Sequence, residues 1–339
     1  MASHVRMRDV AERARVSVAT VSLALRDSTL ISPETRTRIA ALAHTMGYHA
    51  HPYVSAYMSW RRNRGELKHP SIALLHHYES AEGWRQHVSA SVREMHRGVL
   101  TQVRLRGYSA EEVWLGSARP KRILEILRAR SVHGLVFAPV PDKTCHYDLP
   151  WEEFSAVQIG TPPAGLALPR VTSDHYHGAL EAVRRCSQRG FKRAALVIDG
   201  AHDERLQHVW RAGFEMGSEA CGFPRGMVLA MAEQKPDLST LRTWLKRKRP
   251  DVIVTNLHHV VESLLNQLDL SVPRDCGLVS LSVPALGDRV TGIDQHGYLI
   301  GTEAVDLLAS AFQLHRTGLL TEAITLQVSG RWNEGRTIG

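Results

Sequence analysis

Ten arginines fall in the first 64 residues (Arg6, Arg8, Arg13, Arg15, Arg26, Arg36, Arg38, Arg61, Arg62 and Arg64), against four acids, Asp9, Glu12, Asp27 and Glu34. A guanidinium matches phosphate and carboxylate geometry, so this surplus of six charges is chemistry for a polyanion. The 339-residue chain carries a formal +8, which leaves the rest of it nearly balanced. The basic surplus is local, as expected of one nucleic-acid-binding segment rather than a generally adhesive protein.

Nineteen histidines are the second candidate chemistry. They group as His76-His77, His175-x-His177 and His258-His259. Neighbours along a strand point to opposite faces and rarely share an ion. Neither HExxH nor a zinc spacing of Cys and His occurs, so no metal and no cofactor is expected. GxSxG, the phosphate loop GxxxxGK[ST] and GxGxxG are absent, and no triad or carboxylate pair is recognisable by spacing. The chain therefore reads as a non-enzyme. Cys145, Cys186, Cys221 and Cys276 lie far apart without a CxxC pair, as reduced thiols of a cytoplasmic protein do. The start MASHVRMRDV has no apolar core, and no run of 18 apolar residues exists, so neither a signal peptide nor a membrane span is expected.

The elements that position the arginines are short helices. Val10, Ala11 and Ala14 fall at helical spacing over about Met7–Ala14. Ser17 is a good N-cap for a second helix, in which Val21 and Leu25 face inward and Ala19, Ser22, Leu23 and Arg26 form the opposite stripe. Small polar side chains on such a stripe suit a DNA major groove. Ser32-Pro33 opens a third helix, with Ile39, Leu42 and Met46 inward and Gly47 ending it. In HAHPYVSAYMSWRRNRG, residues 53–60 form a helix too short to stand alone. Either it folds on DNA, with Tyr57 or Met58 wedged into the minor groove, or it is a plain linker.

RDVAERARVSVATVSLAL followed by SPETRTRIAALAHTMGY resembles the DNA-binding headpiece of the lactose-repressor (LacI/GalR) family over residues 5–58. The resemblance implies that Ser17 and Thr20 anchor phosphates, that Val18, Ala19 and Ser22 face bases or backbone, and that the wedge falls on Tyr57 or Met58. Arg6, Leu23 and Arg26 complete the expected contact set. Arg15 stands where the family has Gly, at a modest strain cost. Leu23 stands where Arg or another polar residue is common; it cannot bond guanine bidentately but can touch a thymine methyl.

Residues 70–339 alternate apolar runs (71–77, 111–116, 132–140, 154–160, 193–200, 251–256, 277–283) with amphipathic segments (about 86–106, 120–130, 176–189, 205–221, 238–248, 259–268). This alternation predicts parallel sheets covered by helices. The region resembles the two-lobed periplasmic-binding-protein-like sensor of the same family, best in VTSDHYHGALEAVRRCSQRGFKRAALVIDG. The expected division is 1–50 headpiece, 51–69 hinge and linker, and 70–339 effector-binding and dimerisation domain, with lobe crossings near 160–165, 285–292 and 318–322. Ligands sit at the carboxyl ends of such strands, which points to His76, His77, Tyr78, Gly160, Asn256 and Ser282. The resemblance places the family's sugar-anchoring Arg at Trp210 and its two pocket Asp residues at Ser282 and Gly160. Trp210 either stacks on a ligand ring or is a core residue.

The expectation is thus a dimeric regulator, a repressor, that binds pseudo-palindromic operator DNA and answers to a small-molecule effector, a sugar or related metabolite. No heptad tail calls for a tetramer. The alternative is a small-molecule sensor or enzyme-like α/β domain with a degenerate headpiece.

Overall fold

The computed structural model describes residues 7–25, 30–46, 71–116, 119–140, 147–163, 165–232, 236–314 and 316–339. The chain divides into two units, residues 1–68 and 69–339.

In the first unit α1 (Met7–Ala14), α2 (Val18–Ala24) and α3 (Pro33–Thr45) enclose a core of Val10, Ala11, Ala14, Val21, Ala24, Ile39 and Ala43. Leu25, Leu42 and Met46 pack against it half-buried. Four of the seven core residues are alanines, so the three short helices lie close together. Between α1 and α2 the chain turns through a left-handed residue, Arg15 at φ 55°. Val16 N–H donates to the Ala11 carbonyl at 3.0 Å and Arg15 N–H to that of Glu12 at 3.2 Å, the paired bonds that close a helix C-terminus. Glycine normally takes this position at no steric cost; here arginine does.

The second unit begins with β1 (Ser71–His76), α4 (Ala90–Leu105), β2 (Ser109–Trp114), α5 (Pro120–Ala129), β3 (Val132–Phe137), β4 (Ser155–Ile159) and β5 (Arg170–Ser173). It continues with α6 (His175–Gln188), β6 (Ala194–Asp199), α7 (Gly200–Arg205), α8 (Val209–Ala220), β7 (Val228–Met231), α9 (Leu238–Lys248), β8 (Val252–Thr255), α10 (His258–Gln267) and β9 (Gly277–Ser280). The last elements are β10 (Gly292–Asp294), α11 (Gly297–Gln313), β11 (Thr325–Val328) and β12 (Arg331–Asn333). They form two six-stranded sheets, ordered β11-β5-β4-β3-β1-β2 and β12-β10-β9-β8-β6-β7. All pairs are parallel except β10 with β12. Each sheet is covered on both faces, giving four apolar clusters, and the central strands are near-continuous apolar runs, as two-sided burial demands.

The pairing corrects the expected lobe crossings. β5 pairs in the first sheet and α6 packs on the second; β10 pairs in the second and α11 packs on the first; β11 and β12 belong to different sheets. The chain therefore crosses at 173–175, 294–297 and 328–331, not near 160–165, 285–292 and 318–322. The short strands β5, β10 and β11 each extend a lobe beyond its obvious apolar runs. The expected helix 205–221 begins only at Val209, as α8, and a separate short helix, α7, precedes it. Gln207 and His208 separate them, both left-handed at φ 56° and 60°.

α11, absent from the expected elements, packs along α4 at backbone contact. A Cβ on Gly297 would lie 2.3 Å from the Ser91 carbonyl oxygen, one on Gly301 2.1 Å from that of Met95, and one on Gly98 2.1 Å from that of Tyr298. Only glycine permits this approach.

Candidate DNA-binding and effector sites

α2 is held at its start by Ser17, whose backbone is extended (φ −70°, ψ 154°) and whose Oγ accepts from Thr20 N–H at 3.0 Å. The two hydroxyls Ser17 Oγ and Thr20 Oγ1 lie 2.9 Å apart. Val21 and Ala24 point into the core. Ser17, Val18 (44 % exposed) and Ala19 are open to solvent, with Thr20, Ser22 and Leu23 half-buried beside them. α2 thus presents a small-residue surface edged by two hydroxyls, narrow enough to enter a major groove. On α1, Arg8 Nε donates to Glu12 Oε1 at 3.2 Å, so part of the basic surplus is neutralised locally. Arg6, Arg26, Tyr57, Met58 and the segment 53–60 lie outside the described residues.

In the second unit two crossings leave the carboxyl ends of β5 and β11 in the first sheet. In the second, one leaves the carboxyl end of β10, one enters the start of its antiparallel partner β12 beside that end, and one enters α6. The three therefore join the carboxyl edges of the two sheets, which bound the cleft between the lobes. At the crossings Asp174 N–H donates to the Val328 carbonyl at 2.9 Å, and Arg331 reaches Asp294 at 3.3 Å.

The expected cleft residues separate into different roles. His76 and Tyr78 are turned into lobe 1 and buried. The His76 ring stacks on Tyr78 at 5.6 Å and meets the Trp84 edge at 6.5 Å, and its Nε2 lies 3.2 Å from the Ala81 carbonyl. Burial pushes the His76 imidazole down from its ordinary value. These two side chains belong to the lobe 1 interior rather than the cleft, because positions two apart share the face that α4 covers. His77, on the opposite face and half-buried, stacks on Tyr147 at 5.3 Å. Tyr147 also stacks on Phe137 and donates to the fully buried Gln158 at 3.4 Å. Gly160 ends β4 in the left-handed region, φ 78°. Asn256, at the end of β8, accepts from Asp199 N–H at 3.0 Å and ties the tips of β8 and β6 together. Ser282 is half-buried, its N–H bonded to Ser280 Oγ at 3.1 Å.

Trp210 is 3 % exposed and part of the lobe 2 core. The core alternative holds, because the stacking position is already filled. His202 lies parallel to the indole (5.1 Å, 23°) and His175 approaches it edge-on (4.7 Å, 67°). Neither histidine was among the expected cleft residues. A sequence signal for them exists: each follows an aspartate that caps a helix at the end of a strand, Asp174 before α6 and Asp199 before α7. Arg205 Nη2 lies 3.2 Å from both ring nitrogens of His202. Burial, reinforced by the Arg205 charge, holds His175 at about 4 and His202 at about 3, so both are neutral at pH 7. Among the described residues no three His, Cys, Asp or Glu side chains are grouped to hold a metal ion, and no helix is long and apolar enough to cross a membrane.

Residues 6–51 match the model of the bacterial regulatory proteins of the lacI family, and residues 183–336 match a periplasmic binding protein-like domain. No curated protein matches in sequence. Among solved structures, the transcriptional regulator CelR in complex with cellobiose is 18 % identical, with 98 % of this chain and 99 % of that chain covered and a TM-score of 0.60. A LacI family transcriptional regulator from Enterococcus faecium with bound ribose is 14 % identical over 79 % and 98 %, TM-score 0.59. The lac repressor dimer bound to operator and the anti-inducer ONPF is 15 % identical over 99 % of both chains, TM-score 0.55. At such identities these likenesses speak for the fold. The two family matches lie in the same order as the two structural units and mark a regulator of LacI/GalR type, with an N-terminal lacI-family helix-turn-helix domain for DNA and a two-lobed periplasmic binding protein-like α/β domain for a ligand.

Proposed function

We propose that this protein is a cytoplasmic, non-catalytic transcriptional repressor that binds a pseudo-palindromic operator as a homodimer and is controlled by a small molecule in the interlobe cleft. The observation that carries the reading is α2, a capped helix whose outward face offers Val18 and Ala19 with flanking hydroxyls and Leu23 beside them, coupled in one chain to a sensor with two lobes joined by three crossings. Two headpieces reading two half-sites call for a two-fold dimer. Arg6, Ser17, Thr20 and Arg26 contact phosphates, Val18, Ala19, Ser22 and Leu23 face the groove, and Tyr57 or Met58 enters the minor groove. The hinge and linker occupy residues 51–69. An effector that prefers one lobe arrangement shifts the population of DNA-competent dimers.

The test is fluorescence anisotropy of the full chain on its own upstream DNA against shuffled DNA across a salt series. Specific binding exceeds shuffled binding by at least ~10³-fold. Arg26→Ala weakens it and lowers the salt slope by about one. No discrimination between the two DNAs refutes the regulator reading, and an unchanged slope removes Arg26 from the phosphate contacts.

A further inference from the structure

The turn between α1 and α2 carries a side chain that the headpiece fold does not use. Arg15 lies in the left-handed region at φ 55°, which glycine enters freely and a residue with a Cβ enters at a steric cost. The turn is closed by main-chain bonds, Val16 N–H to the Ala11 carbonyl and Arg15 N–H to that of Glu12. The Arg15 side chain is exposed and has no ion pair or hydrogen bond among the described residues. Its nearest acid in sequence, Glu12, is paired with Arg8 at 3.2 Å. A cation near a helix C-terminus is favourable, but Arg13 already supplies one in the last turn of α1. Arg15 therefore strains the backbone of the headpiece and makes no side-chain contact within it.

Its place beside α2 gives the cation another use. Val16 packs half-buried on the headpiece core, and Arg15 and Ser17 stand exposed on either side of it. Two residues of chain span at most ~7 Å, so Arg15 stays that close to Ser17, whose hydroxyl lies beside that of Thr20. α2 itself (VATVSLA) has no Arg, Lys, Asn or Gln, the side chains that bond purine edges bidentately. A helix with so few directional base contacts depends on phosphate contacts for its affinity.

We infer that Arg15 contacts a DNA phosphate, the next along the strand from the one held by Ser17 and Thr20, and that the left-handed turn is retained for this contact. This rests on the reading that α2 enters an operator and adds a contact to it. Successive phosphates of one strand follow every ~3.4 Å of helix axis, within reach of a long side chain two residues from Ser17. A guanidinium meets a phosphate through two parallel N–H···O bonds, and strained backbone is characteristic of residues held for a function. The contact is blind to sequence. It strengthens operator and non-operator DNA alike and leaves their ratio to the outward face of α2.

The experiment uses the full chain, with fluorescence anisotropy on its own upstream DNA and on a shuffled duplex of the same length across a salt series. Arg15→Gly and Arg15→Asn both accept a left-handed backbone and remove the charge. Each is expected to lower the salt slope by about 0.9 on either duplex, which amounts to a roughly fivefold loss of affinity at about 0.15 M salt relative to 1 M. The ratio of operator to shuffled binding stays as in wild type. Arg15→Lys keeps the slope, and Arg242→Gln, an exposed charge on α9, binds like wild type. Amide exchange in α1 is no faster in Arg15→Gly than in wild type, so the weaker binding is a lost contact and not a damaged headpiece. The inference is overturned if both neutral variants keep the wild-type slope, if Arg15→Lys loses as much slope as Arg15→Asn, or if operator binding alone falls. A wild-type protein that does not distinguish the two duplexes refutes the operator reading. A slope that still drops when Arg15 is lost upholds the phosphate contact even then.

Discussion

Replacing Gly301 by alanine puts two effects in opposition, and the structure says which prevails. In a helix interior alanine is favoured over glycine by about 1 kcal/mol, so propensity alone makes Gly301→Ala stabilising. The new methyl, however, would lie 2.1 Å from the Met95 carbonyl oxygen and 2.8 Å from Val99 N. Carbon and carbonyl oxygen come to rest about 3.3–3.6 Å apart, so α11 must retreat from α4 by about 1 Å. Both obstacles are backbone atoms of a helix and cannot rotate away. A gap of that size forfeits roughly a quarter to a half of each dispersion contact along the seam, and overpacking costs about 1–3 kcal/mol. The upper part of that range applies, leaving a net loss of about 2 kcal/mol, or a fall of roughly 4–8 °C in melting temperature for a domain of this size. Chemical denaturation read by far-ultraviolet circular dichroism measures it, with Ser310→Ala, exposed on the same helix, as the propensity control. Gly98→Ala, whose methyl would meet the Tyr298 carbonyl at 2.1 Å, opens the same gap, so the double variant costs less than the sum of the singles. A Gly301→Ala protein as stable as wild type, or strict additivity with Gly98→Ala, refutes the reasoning.

Ser17→Ala removes the α2 cap and costs the headpiece about 1 kcal/mol; operator affinity falls, and an unaltered binding isotherm argues against the role. Arg15→Gly relieves the left-handed residue at φ 55° and stabilises the headpiece by about 0.5–1 kcal/mol after the added unfolded-state entropy. Amide exchange in α1 then slows by roughly 2- to 5-fold; unchanged or faster exchange would count against it. Acid should weaken the sensor. Burial lowers His258, 7 % exposed, from 6.5 to about 4, so between these values the unfolded chain takes up a proton that the folded chain refuses. Stability present above pH 6.5 is therefore lost as pH falls, by at most about 3 kcal/mol at pH 4 from this one residue. His258→Gln should flatten the profile of unfolding free energy between pH 6.5 and 4, and an identical slope in the variant contradicts the assignment.

The headpiece was legible because its determinants are local: Ser17 as cap, Val10, Ala11, Ala14 and Val21 at helical spacing, Pro33 at a first turn. The buried parallel strands announced themselves by apolar runs with no polar interruption. What escaped notice depended on partners distant in sequence. α11 carries Gly297 and Gly301, which read locally as breaks; they are tolerated because α4 presses against them. β5, β10 and β11 are three or four residues long, too short to show a pattern, and their pairing in the sheets identifies them. That misplaced the crossings. Strand-end logic singled out His76 and His77 together but could not tell which of the two faces inward. Nor did it point to His175 and His202, which are far apart in sequence and meet on the Trp210 indole.

The three crossings also order events on the ribosome. Lobe 1 is assembled from 71–173 and 297–328, and lobe 2 from 174–294 and 331–339, so neither lobe is a continuous stretch of chain. Between the synthesis of β5 and that of α11, translation runs on for on the order of ten seconds. Through that interval Ile72, Leu74, Val136 and Val157 have no Ile300, Ala304 or Leu308 to cover them. A nascent chain stalled before residue 297 therefore displays an apolar sheet face that α4 alone shields, and it is there that a chaperone would hold this protein until α11 emerges.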